Sequence, residues 1–361
     1  MNRRVVTAAD VARAAHVHPS TVSRSLDPAK SHTVKPETRD RVVEAAGAMG
    51  YHPDLTASSL RRRQSKTIGV LISSFGNPIY GELLHGISNE LEELGYDVLI
   101  AEVPDDARGT RMASAIRMLR SRRIDGLICA AARGSDADLL RDVSDGGLPV
   151  VLSLRWLASA GLPRVVNDDA LGGALAAQHL LDLGHRAIVE IAGPLDISTF
   201  AERARGFAEV IDAAESHVSR SFVTAASPTV EDGFQLMSEL LASGHPFEST
   251  ALFAHNDLLA IGAMDALAEA GIDCPRRISV VGYNDNPLTG HLKPALTTIR
   301  LQIDRIGREA ARLVVRLIRD DDGGDREIAI APDLVVRESS APASSHATVA
   351  VAAAGGALRR P

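Results

Sequence analysis

Within TVSRSL, residues 21–26, three hydroxyls (Thr21, Ser23 and Ser25) stand beside one guanidinium (Arg24), and Pro19 and Ser20 come just before them. No carboxylate interrupts the set. Hydroxyls donate and accept hydrogen bonds and a guanidinium donates them, neither changing charge near neutral pH, which suits the reading of base edges better than acid–base catalysis. Arg24 is the strongest reader, because a guanidinium can pair bidentately with guanine.

Side chains of this kind need a short rigid element to present them, and the surrounding sequence supplies one. Thr7 and Asp10 have the spacing of an N-cap and an acidic third helical position, and Val11, Ala14 and Ala15 share one face of a first helix that ends near Ala15. AHVH then makes a turn, and Pro19 suits the first position of a second helix running to Leu26. With Val22 and Leu26 facing the first helix, Ser20, Thr21, Ser23 and Arg24 are left for an outside partner. This is the helix-turn-helix plan, in which the second helix enters the major groove. Val34, Val42, Val43 and Ala46 predict a third helix closed near Gly50, and DLTASSLRRRQSKT reads as a linker.

The charge distribution agrees. Residues 1–66 carry 12 Lys and Arg against 6 Asp and Glu, whereas the remaining 295 carry 27 against 40. A cationic front on an anionic body suggests a polyanion partner for the front alone. Apolar residues make up 45% and charged residues 24%, which excludes wholesale disorder. MNRRVV has no apolar stretch after its arginines, and no run reaches the roughly 18 apolar residues of a membrane span, so the expectation is a cytoplasmic protein without a membrane partner.

From Lys66 the texture changes to short β-rich runs (TIGVLIS, DVLIAEV, IDGLICA, PVVLSL, AIVEIAG, TALFAH and ISVVGY) separated by helical stretches. In one of these Ile79, Leu83, Ile87, Leu91 and Leu94 share a face. Such alternation predicts parallel sheets covered by helices, and about 270 residues exceed one such sheet, so two similar lobes are expected. The last twenty residues, PASSHATVAVAAAGGALRRP, are too poor in large apolar groups to pack. Enzyme chemistry finds little purchase: there is no G-x-G-x-x-G after a strand, no Walker-type loop and no G-x-S-x-G elbow. His179 and His185 lie six apart, off one helical face, and Cys129 and Cys274 read as two separate buried thiols. No metal, cofactor or catalytic residue is expected.

Several stretches in one order then carry a resemblance. VTAADVARAAHVHPSTVSRSLD, TRDRVVEAAGAMGYHPDLTASSL, FGNPIYGELLHGI, NDDALGGALAAQHLLDLGHRAI, RARGF, HNDLLAIGAM and SVVGYNDNPLTGHLKPALTTIR make the chain similar to transcriptional repressors of the lac repressor family. The resemblance implies a small all-α helix-turn-helix headpiece (5–52), a hinge segment (53–65) and a two-lobed α/β core with parallel sheets, like periplasmic binding proteins (66–340). A disordered tail (341–361) follows. It implies three crossings between lobes, a homodimer on double-stranded operator DNA, and a small-molecule effector, a sugar or sugar derivative, in the cleft.

Residue by residue, the resemblance assigns DNA contacts to Thr7, Pro19, Ser20, Thr21, Ser23, Arg24, Thr33, Ala57, Leu60 and Arg61. Pro19 and Ser20 are the pair that varies with operator choice, and Leu60 is the leucine wedged into the minor groove. Effector contacts fall to Ser73, Tyr80, Arg155, Arg203, Asn256 and Asn284, with the Trp156 ring beside them. Four departures are visible. His16 stands where glycine is usual in the turn, His18 replaces a frequent serine cap, and DPAKSHT lengthens the loop before Thr33. Leu154 and Asn284 stand where aspartates are common, which predicts a ligand with an acceptor or anionic group for Arg203 and Arg155. The competing readings are an enzymatic or small-molecule-binding α/β protein with an accessory DNA-binding headpiece, and a solute-binding protein of a transport system. The latter requires export and has no use for a helix-turn-helix.

Overall fold

The computed structural model describes residues 6–27, 30–51, 65–105, 110–214, 217–243, 248–321 and 323–344. They divide into two compact units between Ser65 and Lys66. Among its described residues the first unit holds three α-helices, α1 (Ala8–Ala14), α2 (Pro19–Ser25) and α3 (Pro36–Met49), with a 3-10 turn (Ser31–Thr33) between the last two. α1 starts in a capping box, with Thr7 Oγ1 accepting from the Asp10 amide (3.4 Å) and the Asp10 carboxylate accepting from the Thr7 amide (3.0 Å). His16 takes φ 51°, the left-handed turn conformation that a histidine tolerates better than most residues do. Arg41 of α3 donates to the Ala15 carbonyl (3.1 Å) and ties down the end of α1. His18 caps α2 through Nδ1, which accepts from the Ser20 amide (3.2 Å).

Val11, Ala12, Ala15, Val22, Val42 and Ala46 form the core of this unit. In so small a core each fully buried valine, about 1.5–3 kcal/mol, is a large share of the stability. Three sequence expectations are corrected: Ala14 is exposed while Ala12 is buried, Val34 precedes α3, and Val43 is 50% exposed. Pro36 starts α3 two residues after Val34, and Val42 and Ala46 already fill its inward face. Leu26, the cap residue of α2, packs half-buried against the core as expected, and Ser25 beside it is buried.

The second unit contains two six-stranded sheets. One joins β1 (Thr67–Ile72), β2 (Asp97–Glu102), β3 (Gly126–Cys129), β4 (Val150–Ser153), β5 (Arg164–Asn167) and β11 (Glu327–Ile330) in the order β11-β5-β4-β3-β1-β2, all parallel. The other joins β6 (Ala187–Ala192), β7 (Ser219–Thr224), β8 (Ala251–Ala254), β9 (Ser279–Asn284), β10 (Thr297–Arg300) and β12 (Asp333–Val335) in the order β12-β10-β9-β8-β6-β7. There only β12 runs antiparallel, against β10. Central strands such as β3, β4 and β8 are buried throughout, which is why they read as unbroken apolar runs.

The chain crosses between the sheets three times: after β5, after β10 and between β11 and β12. Helices α4 (Ile79–Leu94), α5 (Thr110–Ser121), α6 (Ala137–Asp145) and α11 (Ile303–Ile318) belong to the first lobe, and α7 (Asp169–Asp182), α8 (Ser198–Asp212), α9 (Val230–Ala242) and α10 (Asp257–Glu269) to the second. On α4, Leu83, Ile87 and Leu91 are fully buried and Ile79 and Leu94 partly so. α7 and α8 touch backbone to backbone, because a Cβ on Gly206 would sit 1.8 Å from the Ala170 carbonyl oxygen and one on Gly173 2.1 Å from that of Arg203.

His179 and His185 brace residues 340 and 341. His179 Nε2 meets Ser340 Oγ (2.9 Å), and His185 Nε2 meets Ser279 Oγ and the Ala341 carbonyl, both at 3.0 Å. The Ala343 amide bonds to the Leu183 carbonyl (2.8 Å), so the packed chain runs past residue 341. Cys129 is buried, and Cys274 is only half-buried. Among the described residues no helix is long and apolar enough to cross a membrane.

Candidate functional site

On α2 the side chains separate by face. Val22 and Ser25 are buried, whereas Pro19, Ser20, Ser23 and Arg24 are exposed and Thr21 is half-exposed. Arg24 Nε donates to the Ser20 carbonyl one turn back (3.3 Å), which lays the guanidinium along the outer face. Thr7 is the α1 cap, and Thr33 donates its hydroxyl to the Lys30 carbonyl (2.6 Å). Ala57, Leu60 and Arg61 lie outside the described residues, as does nearly all of the 53–65 segment.

In both lobes the second strand lies outside the first and the third on its other side, so each sheet has a switch in strand order where ligands bind beyond the carboxyl ends of strands. A cleft of about 600 Å³ opens there. All six residues assigned by the resemblance line it. Ser73 follows β1, Tyr80 is on α4, Arg155 follows β4, Arg203 is on α8, Asn256 caps α10 and Asn284 ends β9. Asp105, Asn167, Asp169, Phe200, Thr229, Glu102 and Glu231 also line it. Asp169 could have been found in the quoted NDDALGG motif, but Asp105 carries no signal beyond following a strand.

The polar groups form two ion pairs. Arg203, 3% exposed, donates from Nε to Asp169 (2.9 Å) and from Nη1 to the His255 carbonyl, with its guanidinium 3.7 Å from the centre of the Tyr283 ring. His255 is held from behind by the fully buried Glu190 (2.8 Å), which also takes Arg220 (2.5 Å). Burial lowers the pKa of His255, outweighing the pull of Glu190. Burial also raises the Asp169 carboxyl against the opposing pull of Arg203.

Arg155, 6% exposed, closes on Asp105 through two parallel hydrogen bonds (2.6 and 2.7 Å) and reaches Ser73 Oγ (3.1 Å), which meets the Tyr80 hydroxyl (2.7 Å). Although burial opposes ionisation, the guanidiniums of Arg155 and Arg133 hold Asp105 below the usual carboxylate range. Arg133 in turn spans the lobes, pairing bidentately with Asp196 (2.9 Å twice), and Trp156 N donates across to Ser198 Oγ (2.9 Å).

Two expectations are corrected. The Trp156 ring is not on the cleft; it stacks under Arg164 at 4.1 Å. The replacement of acids at 154 and 284 does not strip the cleft of carboxylates, because Asp105 and Asp169 enter from other elements and occupy both arginines. Asn256 is engaged at both ends, accepting from the Leu259 amide (2.7 Å) and donating to the Pro228 carbonyl (3.0 Å). By contrast, the buried Oδ1 of Asn167 and of Asn284 has no hydrogen-bond partner among the described residues. Leu154 (φ 62°) and Asn284 (φ 117°) are both held in left-handed backbone, strain of the kind that gathers at ligand clamps.

Comparison with known proteins agrees with this geometry. Residues 7–54 match the family described as bacterial regulatory proteins, lacI family, and residues 177–340 match the periplasmic binding protein-like domain. The HTH-type transcriptional repressor PurR of Haemophilus influenzae (strain PittEE) is 31% identical over 340 residues, spanning 93% of this chain and 98% of that protein. The crystal structure of the lac repressor dimer bound to operator and the anti-inducer ONPF is similar with a TM-score of 0.82 at 27% identity, covering 94% of this chain and all of that one. The complex of the transcriptional regulator CelR with cellobiose is similar at 0.68 and 29%, covering 93% and 100%. With a helix-turn-helix unit ahead of a two-lobed core that opens a polar cleft at its strand ends, the chain belongs to the lacI family of bacterial regulatory proteins, as a transcriptional repressor with a periplasmic-binding-protein-like core and not an enzyme.

Proposed function

We propose that this repressor binds a roughly palindromic operator in the cytoplasm as a homodimer, reads it with Pro19, Ser20, Thr21, Ser23 and Arg24, and has its affinity set by a sugar-like effector in the cleft. One observation carries the effector half of this reading. Side chains that donate and accept hydrogen bonds, among them Ser73, Tyr80, Asp105, Asp169, Thr229 and Glu231, reach one cleft of about 600 Å³ from both lobes, a lining that suits a ligand rich in hydroxyl groups. The sugars in related complexes, cellobiose in one, have that chemistry. For the DNA half, the exposed hydroxyls and guanidinium of α2 and the cationic front support base reading anchored by phosphate contacts.

The effector should change operator affinity by about 1–3 kcal/mol, the usual size of an allosteric coupling. Thermal-shift screening of mono- and disaccharides, followed by operator titration with and without the best ligand, tests this. The expected result is a sugar that raises the melting temperature and moves the operator affinity, with both effects lost in Arg203→Ala. A shift that survives Arg203→Ala would place the ligand outside the cleft. Operator binding should also weaken steeply with salt, and a flat salt response would remove the DNA-reading assignment.

A further inference from the structure

We propose that Asp105 is a specificity residue of the cleft: a built-in carboxylate that fills the Arg155 fork and so turns anionic ligands away, leaving uncharged polyols as the effector class. The inference rests on the reading of the cleft as the effector site and narrows its ligand.

Arg155 and Asp105 both line the cleft. Their two parallel bonds of 2.6 and 2.7 Å form the fork-to-fork geometry that a ligand carboxylate or phosphate would have to adopt. The remaining reach of the guanidinium goes to Ser73 Oγ (3.1 Å) and the Ala131 carbonyl (3.5 Å), so an incoming anion meets a cation already satisfied. Displacing Asp105 is opposed from its other side. Arg133 donates to the Asp105 carbonyl (3.2 Å) and lies 3.8 Å from its carboxylate, and Arg133 is itself anchored to Asp196. A carboxylate pushed off Arg155 would stay beside the incoming anion and repel it.

The rest of the lining points the same way. Arg203 is committed to Asp169 and the His255 carbonyl. Four acidic side chains, Glu102, Asp105, Asp169 and Glu231, line the cleft against two arginines. A ligand that donates many hydrogen bonds and carries no negative charge meets every one of these conditions.

The test uses the full chain with inorganic phosphate and sulfate as probes, titrated at constant ionic strength by calorimetry. In Asp105→Asn the Arg155 fork loses its counter-charge, and the variant should bind either anion at least about tenfold more tightly than the natural protein, a change of about 1.4 kcal/mol. The gain should vanish in the double variant Asp105→Asn/Arg155→Gln. No gain in a cooperatively melting Asp105→Asn protein, or a gain that persists in the double variant, overturns the proposal.

Should Asp105→Asn fail to fold, the natural protein decides, through paired comparison of glucose with glucuronate and glucose 6-phosphate, and of ribose with ribose 5-phosphate. Each charged member should bind at least about tenfold more weakly than its parent, and one that binds more tightly, with Arg203→Ala abolishing it, overturns the proposal. A gain of phosphate binding in Asp105→Asn with no sugar binding to any form would support the masking of Arg155 while removing the sugar reading.

Discussion

Arg203 and Asp169 are 3% and 4% exposed and 2.9 Å apart, so each is the other's main counter-charge. Asp169→Asn strands a buried guanidinium, for which the typical loss is about 3–5 kcal/mol. Here the Tyr283 ring at 3.7 Å and the His255 carbonyl remain, and a desolvated cation–π contact is worth up to about 2 kcal/mol, so the expected net loss is about 2–3 kcal/mol. Arg203→Met leaves Asp169 behind, but burial already raises that carboxyl, and with a proton it stays neutral beside the Asn167 amide (3.2 Å). The expected loss is about 2 kcal/mol.

Once one partner is gone, removing the second strands no charge. The double variant should therefore lose about 2–3 kcal/mol instead of the sum, a coupling of about 2 kcal/mol. Trp156, the single tryptophan, lies in the core unit, so its fluorescence during urea unfolding reports this unit and not the headpiece. Losses that add to within about 0.5 kcal/mol would show that the two groups do not depend on each other, and the ion-pair account of the cleft floor would fail.

Gly206→Ala places a methyl 1.8 Å from the Ala170 carbonyl oxygen, so α8 must shift from α7 and carry Arg203 with it. Unfolding should cost at least about 1–3 kcal/mol less and ligand-induced thermal shifts should shrink; a variant with unchanged stability would refute the close-packing account. Burial pushes the Asp257 carboxyl up to about 7 even though Thr298 and the Asn286 amide donate to it. A folded value above the unfolded one means that Asp257 favours the fold at low pH and that this contribution fades as pH rises from about 4 to about 7. Relative to the natural protein, Asp257→Asn should gain about 2 kcal/mol between pH 5 and 7 in urea titrations, and a pH-independent difference would reject the assignment. Changing Pro19 and Ser20 together should move operator preference in a selection over random sites while preserving overall DNA affinity. Recovery of the original site would remove these residues from the reading face.

What the sequence by itself determined is local. The capping box at Thr7 and Asp10, Pro19 at the head of α2 and the outward set Ser20, Ser23 and Arg24 all follow from neighbours within a few residues, because helix caps and helical faces depend on spacing alone, whereas the left-handed turn at His16 was placed through the resemblance. β1–β4, β6, β8 and β9 were legible as short β-rich runs. β5 (RVVN), β7 (SRSFVT), β10 (TTIR) and the edge strands β11 and β12 were not, since short or half-exposed strands form only where a neighbouring strand offers a ladder.

The six cleft residues could be placed only through the resemblance, and the structure alone decided their state. Arg155 meets Asp105 from 50 positions away and Arg203 meets Asp169 from 34, pairings that no period in the sequence encodes. The charge of the cleft, and with it the ligand class, is therefore a property of how strand ends from two sheets converge. Electrostatic energy depends on distance and burial in three dimensions, and the chain order records neither.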